Sequence, residues 1–213
     1  MTKQTPLIGL DVFYPIFPDS DWIMRMVPLG IRTVQLRLKD ADDVEVRRQI
    51  ATARDVCAAH SCQLIVNDYW RAALDLKCDY IHLGQEDLAA ADVGAIKRAG
   101  ARLGISTHSE KELEIALAAG PEYVALGPIY ETKLKVMKWA PQGLDRIGVW
   151  KERIGSVPLV AIGGITPKRA PGVLAAGAHS VAVITDFITA PDPAARISEW
   201  LAWAGRWRRC CDR

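Results

Sequence analysis

Thr33-Val-Gln-Leu-Arg-Leu-Lys39 alternates without a break, sorting its side chains into an apolar set, Val34, Leu36 and Leu38, and a polar set, Gln35, Arg37 and Lys39. Successive side chains of a strand point to opposite faces, so the two sets face opposite ways. A surface strand with solvated charges also reads this way. The other strand-like runs of the chain are mostly buried-looking, however. The segment therefore predicts a strand covered by helices outside and charged toward an interior, where two cations and an amide converge on an anion.

Short apolar, β-branched-rich runs recur on both sides of it, from 7 to 12, 63 to 67, 80 to 83, 102 to 106, 123 to 129, 159 to 165 and 181 to 185, giving eight candidate strands with 33 to 39. Helix-like segments such as Asp43 to His60 and Glu110 to Ala119 lie between them, the alternation of a parallel sheet. Eight such repeats predict a (β/α)8 TIM barrel, an α/β fold. The rival, an open doubly wound sheet, usually has fewer strands and often a Gly-x-Gly-x-x-Gly turn that this sequence lacks. Ser109-Glu-Lys-Glu112 resembles a capping box, and Gly120-Pro121 a helix stop. Thr166-Pro167 reads as an N-cap and first-turn proline, so a helix is expected just beyond Gly164.

A chain of 213 residues suits one barrel domain, and 1–213 reads as a single domain whose basic end, 206–213, is expected to fray. The formal charge of +2, with acids and bases interspersed, offers no basic stripe for nucleic acid. No signal pattern and no bilayer-length apolar run is present, so the expectation is a cytoplasmic protein without a membrane partner. Five cysteines without a Cys-x-x-Cys pair point to reduced structural thiols rather than a disulfide scaffold or zinc site. Trp200, Trp203 and Trp207 form a stripe at helical spacing, suited to packing the last helix on the barrel or on a second copy of the chain in a homo-oligomer.

In a barrel of this type the active site lies at the C-terminal ends of the strands. Gln35, Arg37 and Lys39 suit a polyphosphate there. Asp68, after Asn67 on strand three, and Asp87, just after strand four, come from adjacent strand ends and supply the hard oxygen ligands that Mg²⁺ accepts. Ser106, with Thr132 and Lys135 after strand six, adds hydroxyls and a third cation. Gly163 and Gly164 after strand seven, and Ile184-Thr185 after strand eight, suit a phosphate monoester bound by backbone N–H groups. His82, inside a strand, reads as a satisfied interior residue, and His108 is left open.

These clusters, in this order, resemble thiamine-phosphate synthase from about Leu7 to the last helix. The carrying motifs are Val34-Gln-Leu-Arg-Leu-Lys39, Val66-Asn-Asp-Tyr-Trp70, His82-Leu-Gly-Gln-Glu-Asp87, Leu103-Gly-Ile-Ser-Thr-His108, Gly127-Pro-Ile-Tyr-Glu-Thr132, Ala140-Pro-Gln-Gly143 and Ala161-Ile-Gly-Gly-Ile165. The resemblance implies a Mg²⁺-assisted transferase joining hydroxymethylpyrimidine diphosphate to thiazole phosphate, with loss of pyrophosphate before the thiazole nitrogen attacks. It implies that Gln35, Leu36, Arg37, Leu38, Lys39, Asn67, Ser106 and Lys135 hold the pyrimidine diphosphate, with Arg37, Lys39, Ser106 and Lys135 catalytic. Asp68 and Asp87 would hold Mg²⁺, and Thr132, Lys133, Leu134, Gly163, Gly164, Ile184 and Thr185 the thiazole phosphate. The chain departs from the family at Glu131 and Leu134, where proline and threonine are usual, and at Asp186, where a small residue is usual. The alternatives are a thiazole tautomerase-like enzyme, which does not need the pyrimidine diphosphate apparatus, and a non-catalytic barrel that binds phosphate ligands.

Overall fold

The computed structural model describes residues 10–132 and 139–211. Eight parallel strands, β1 (Phe13–Phe17), β2 (Thr33–Leu36), β3 (Gln63–Asn67), β4 (Tyr80–Leu83), β5 (Arg102–Thr107), β6 (Tyr123–Leu126), β7 (Leu159–Ile162) and β8 (Ser180–Val183), each pair with the next. β8 returns to β1 in the register Phe13 to Val181, so the barrel is closed, as the alternation predicts. Around it run α1 (Ser20–Met26), α2 (Asp43–Ala59), α3 (Trp70–Asp75), α4 (Gln85–Ala90), α5 (Val93–Arg98), α6 (Glu110–Ala118), α7 (Gly143–Ile154), α8 (Ala170–Ala175), α9 (Thr185–Ile188) and α10 (Pro193–Cys211). Among the described residues no helix is long and apolar enough to cross a membrane.

The two-residue period divides the core in two. Tyr14, Ile16, Ile65, Tyr80, Tyr123 and Val160 fill the barrel interior, while Phe13, Phe17, Val34, Leu36, Val66 and Ile81 belong to the layer between strands and helices. Trp200 is fully buried and stacks on Phe13 at 5.0 Å between ring centres, Trp203 meets Trp200 edge to face at 5.3 Å, and Trp207 stacks on Trp203 further along α10. The tryptophan stripe thus packs the last helix onto the first strand. Cys57, Cys62 and Cys78 are buried free thiols.

Several expected boundaries move, for identifiable reasons. The first strand lies at Phe13–Phe17, not at 7 to 12, of which 7 to 9 fall outside the described residues. Pro15 argued against that stretch, because proline gives no N–H to a ladder. The register nevertheless runs through it, with Pro15 opposite Val183, and all five residues of the strand are buried. β2 ends at Leu36 rather than Lys39, although the Arg37 N–H still donates to the Phe17 carbonyl at 2.9 Å. β6 ends at Leu126 and resumes pairing only after Pro128, when the Ile129 N–H reaches the Ile162 carbonyl. The residue at the N-cap is Arg169, not Thr166, and it makes no side-chain cap bond. The Thr166 carbonyl accepts from the Arg169 and Ala170 N–H groups in a turn, and the helix starts at Ala170, with Pro171 as its early proline. The basic end expected to fray from 206 is helical through Cys211, held by Arg208 donating to Asp11 at 2.7 Å.

Ser109 does cap α6, accepting from the Glu112 N–H at 3.3 Å. The Glu112 carboxylate reaches one residue further back than in the usual box. It accepts from the His108 N–H at 2.6 Å and lies 2.9 Å from His108 Nδ1, with Trp139 stacked on the imidazole.

Candidate active site

The C-terminal rim brings the expected carboxylates together. Asp68 follows β3 with a φ of 64°, a left-handed conformation that aspartate tolerates better than most residues. There its N–H donates to the His82 carbonyl at 2.9 Å. Asp87 comes from the first turn of α4, where the helix N-terminus favours an acid. The two carboxyl groups are within hydrogen-bonding contact. Burial first, and the Asp87 charge second, push Asp68 up to about 6, against the pull of the Gly84 N–H and of Arg37. Asn67, buried beside them, donates its amide to the Asp68 carboxylate. Two acids held this close are a poor arrangement for an ion-free fold and a good one for a divalent cation.

Arg37 is half-buried, one residue past the end of β2, and its charge lowers the proton affinity of both Asp68 and His82. Gln35 is buried further down the same strand face, its Nε2 donating to the Tyr14 hydroxyl at 2.7 Å. The face that the alternation assigned to Gln35 and Arg37 is therefore the interior one. Lys39 lies exposed in the loop beyond them. Ser106, at the end of β5, is held twice: its Oγ lies 2.8 Å from His82 Nε2, and its carbonyl accepts from Gln85 Nε2 at 2.6 Å.

His82, read from sequence as a satisfied interior residue, sits between Ser106 and the Tyr123 hydroxyl, 2.7 Å from its Nδ1. Burial, then the Arg37 cation, hold its pKa down at about 3. The fold thus favours the neutral ring, while the unfolded chain takes up a proton near pH 6.5. Stability from this residue is fully present above pH 6.5 and is lost as pH falls toward 3, with a slope approaching about 1.4 kcal/mol per pH unit. Urea midpoints at pH 7, 5.5 and 4 should fall in that order, and His82→Gln should flatten the decline. An equal decline in both proteins would show that other groups carry it.

The opposite side of the rim is a clamp between loops. A Cβ on Gly163, whose φ is 104°, would lie 2.6 Å from the Pro128 Cβ, and one on Gly164 would strike the Glu131 carbonyl. The Tyr130 N–H donates to the Gly163 carbonyl at 3.0 Å. These glycines therefore admit the loop after β6, a close approach that sequence reasoning had reserved for phosphate. Arg169, unnoticed in the sequence, donates to the Gly164 carbonyl at 2.7 Å and covers the Tyr130 ring. Gln142 and Gly143 close the base, their N–H groups donating to the Pro128 and Ile129 carbonyls. Thr132 is half-buried at the loop's edge, while Lys133, Leu134 and Lys135 lie outside the described residues. Ile184 and Thr185 follow β8 as Gly163 and Gly164 follow its neighbour β7, so both pairs leave the barrel at adjacent strand ends. Asp186 turns away: Arg196 holds it with two bonds of 2.8 Å, and Trp200 Nε1 donates to it at 2.8 Å.

A closed parallel barrel with acids and an arginine gathered at its C-terminal rim is the layout of a (β/α)8-barrel enzyme. The model of the thiamine monophosphate synthase family matches residues 17–187. A thiamine-phosphate synthase of Rhizobium etli is 59% identical over 199 residues, covering 93% of this chain and 98% of the relative. One of Cronobacter sakazakii is 46% identical over 179 residues, covering 84% and 85%. A solved thiamine phosphate pyrophosphorylase from Pyrococcus furiosus superposes with a TM-score of 0.79 at 25% identity, covering 91% of this chain and 95% of that one. The chain belongs to the thiamine-phosphate synthase family, a family of transferases.

Proposed function

We propose that the rim joins a pyrimidine diphosphate to thiazole phosphate by letting the diphosphate leave first. The observation that carries this reading is the Asp68–Asp87 contact beside Arg37. Among the described residues no set of three or more His, Cys, Asp or Glu side chains gathers, so the two acids would hold Mg²⁺ with substrate oxygens and water completing its shell. When bound, the ion supplies positive charge to the departing diphosphate. Arg37, Lys39 and Lys135 add to that charge, Gln35 and Asn67 orient the pyrimidine end, and Ser106 offers a hydroxyl. Thr132, Gly163, Gly164, Ile184 and Thr185 would bind the thiazole phosphate, with Lys133 and Leu134 assigned to it by the family resemblance alone, and Asp186 is paired with Arg196 and so harmless to it.

The chemistry asks the protein for positioning and charge rather than for a base. His82 is consistent with that, being neutral and engaged on both ring nitrogens. The protein acts on small molecules in the cytoplasm. A coupled assay of pyrophosphate release should require both substrates and Mg²⁺. Conversion of thiazole phosphate alone, without pyrophosphate, would replace this reading with a tautomerase. Tight calorimetric binding without turnover would replace it with a binding barrel.

A further inference from the structure

Inside the barrel a chain of hydrogen bonds runs from Gln35 to Ser106, and the transfer reaction itself does not account for it. Gln35 Nε2 donates to the Tyr14 hydroxyl at 2.7 Å, which lies 3.0 Å from the Tyr123 hydroxyl. That hydroxyl lies 2.7 Å from His82 Nδ1, and His82 Nε2 lies 2.8 Å from Ser106 Oγ. The members come from β2, β1, β6, β4 and β5, and all but Ser106 are buried. Space has been cleared for them: Gly104 sits opposite Tyr123 in the β5–β6 ladder, and a Cβ there would lie 2.1 Å from Tyr123 Cζ.

The direction of such a chain follows from counting protons and lone pairs. An amide nitrogen only donates, so the Tyr14 oxygen accepts from Gln35. The Tyr14 proton then goes to the Tyr123 oxygen, and the Tyr123 proton to His82 Nδ1. A nitrogen that accepts carries no hydrogen, which places the imidazole hydrogen on Nε2, donating to Ser106 Oγ. Run the other way, Tyr14 would accept from both neighbours and its own proton would be stranded in the interior, a cost buried groups avoid. A ring with hydrogen on both nitrogens would likewise donate to Tyr123 and strand the same Tyr14 proton.

We propose that this chain is a one-way positioning relay: Gln35 sets its direction, His82 is fixed with hydrogen on Nε2, and Ser106 arrives at the rim with its own proton free to donate. Tyr14, Tyr123 and His82 are then positioning residues, and Ser106 recognises a lone pair on the pyrimidine diphosphate, a ring nitrogen or a phosphate oxygen, rather than its amino group. This rests on the reading that Gln35 and Ser106 hold that substrate.

The test begins with the substrate-free, full-length protein labelled with ¹⁵N-histidine. Long-range proton–nitrogen correlation, with His82 assigned from the His82→Gln spectrum, should show Nδ1 bare and Nε2 protonated at neutral pH. Hydrogen on Nδ1, or on both nitrogens, overturns the relay. Tyr123→Phe, which removes one oxygen and keeps the ring, should admit the other tautomer. It should lower kcat/KM for pyrimidine diphosphate about tenfold, the scale of one buried hydrogen bond, and leave KM for thiazole phosphate unchanged. His82→Gln, which keeps an N–H for Ser106, should retain several times the activity of His82→Leu. If Arg37→Ala and Asp87→Ala both keep full turnover, the reading of the site fails while the tautomer result stands. If those two lose turnover but Tyr123→Phe keeps normal kcat/KM and an unaltered tautomer, the relay alone fails. Should Tyr123→Phe not fold, the wild-type spectrum decides.

Discussion

Asp87→Asn is expected to lower turnover by about 10²–10³, the loss commonly seen when a preorganised electrostatic group is removed, and at the same time to raise the melting temperature of the ion-free protein. The two effects share a cause. Asp68 and Asp87 are forced into contact, and their mutual repulsion is part of what pushes Asp68 up to about 6. An asparagine keeps the shape and removes one of the two charges, so the fold gains what the reaction loses, a trade-off familiar at functional sites. Relief of about 1 kcal/mol in a chain of this size corresponds to roughly 2–4 °C. Mg²⁺ with pyrophosphate should then stabilise the wild type by mass action and the variant far less. Near-normal turnover, or a melting temperature that drops in the absence of metal, would sink the assignment of this pair.

Arg37→Ala should cost about 10² in kcat/KM for the pyrimidine diphosphate, and Arg37→Lys should recover only part of it. Arg37 stands where β2 leaves the barrel, half-buried, and its charge is felt by both Asp68 and His82. A guanidinium grips a phosphate with two parallel donors, whereas an ammonium supplies charge without the fork. Steady-state kinetics with each substrate varied in turn checks this. Equal losses for both substrates would place Arg37 outside the diphosphate's path.

Much of this architecture was legible because a barrel repeats its own grammar. β3 and β4 fall where their apolar runs predict, and α2 and α6 differ from expectation by a single residue at their ends. β1 was misplaced because Pro15 is a local signal against strand, overridden by packing that only the closed barrel supplies. Thr166-Pro167 imitates a helix start, yet the turn it begins satisfies its carbonyl before the helix forms. At the site, Asp68 and Asp87 were readable as a pair because adjacent strands carry adjacent ends. The relay was not, since Tyr14, His82 and Tyr123 meet only through the stagger of strands across the interior, which no local pattern encodes. Asp186 looked hostile to phosphate until Arg196 and Trp200, on the following helix, were seen to hold it.

At the floor of the barrel Asp11 accepts from the N–H of Phe13, is approached by Arg32, and receives Arg208 at 2.7 Å across 197 positions of sequence. Its carbonyl takes the Ser180 hydroxyl as well. The first strand and α10 therefore cover one another, Arg208 answering Asp11 while Trp200 lies over Phe13, so a change at either α10 residue would be felt at β1 and not at the catalytic rim.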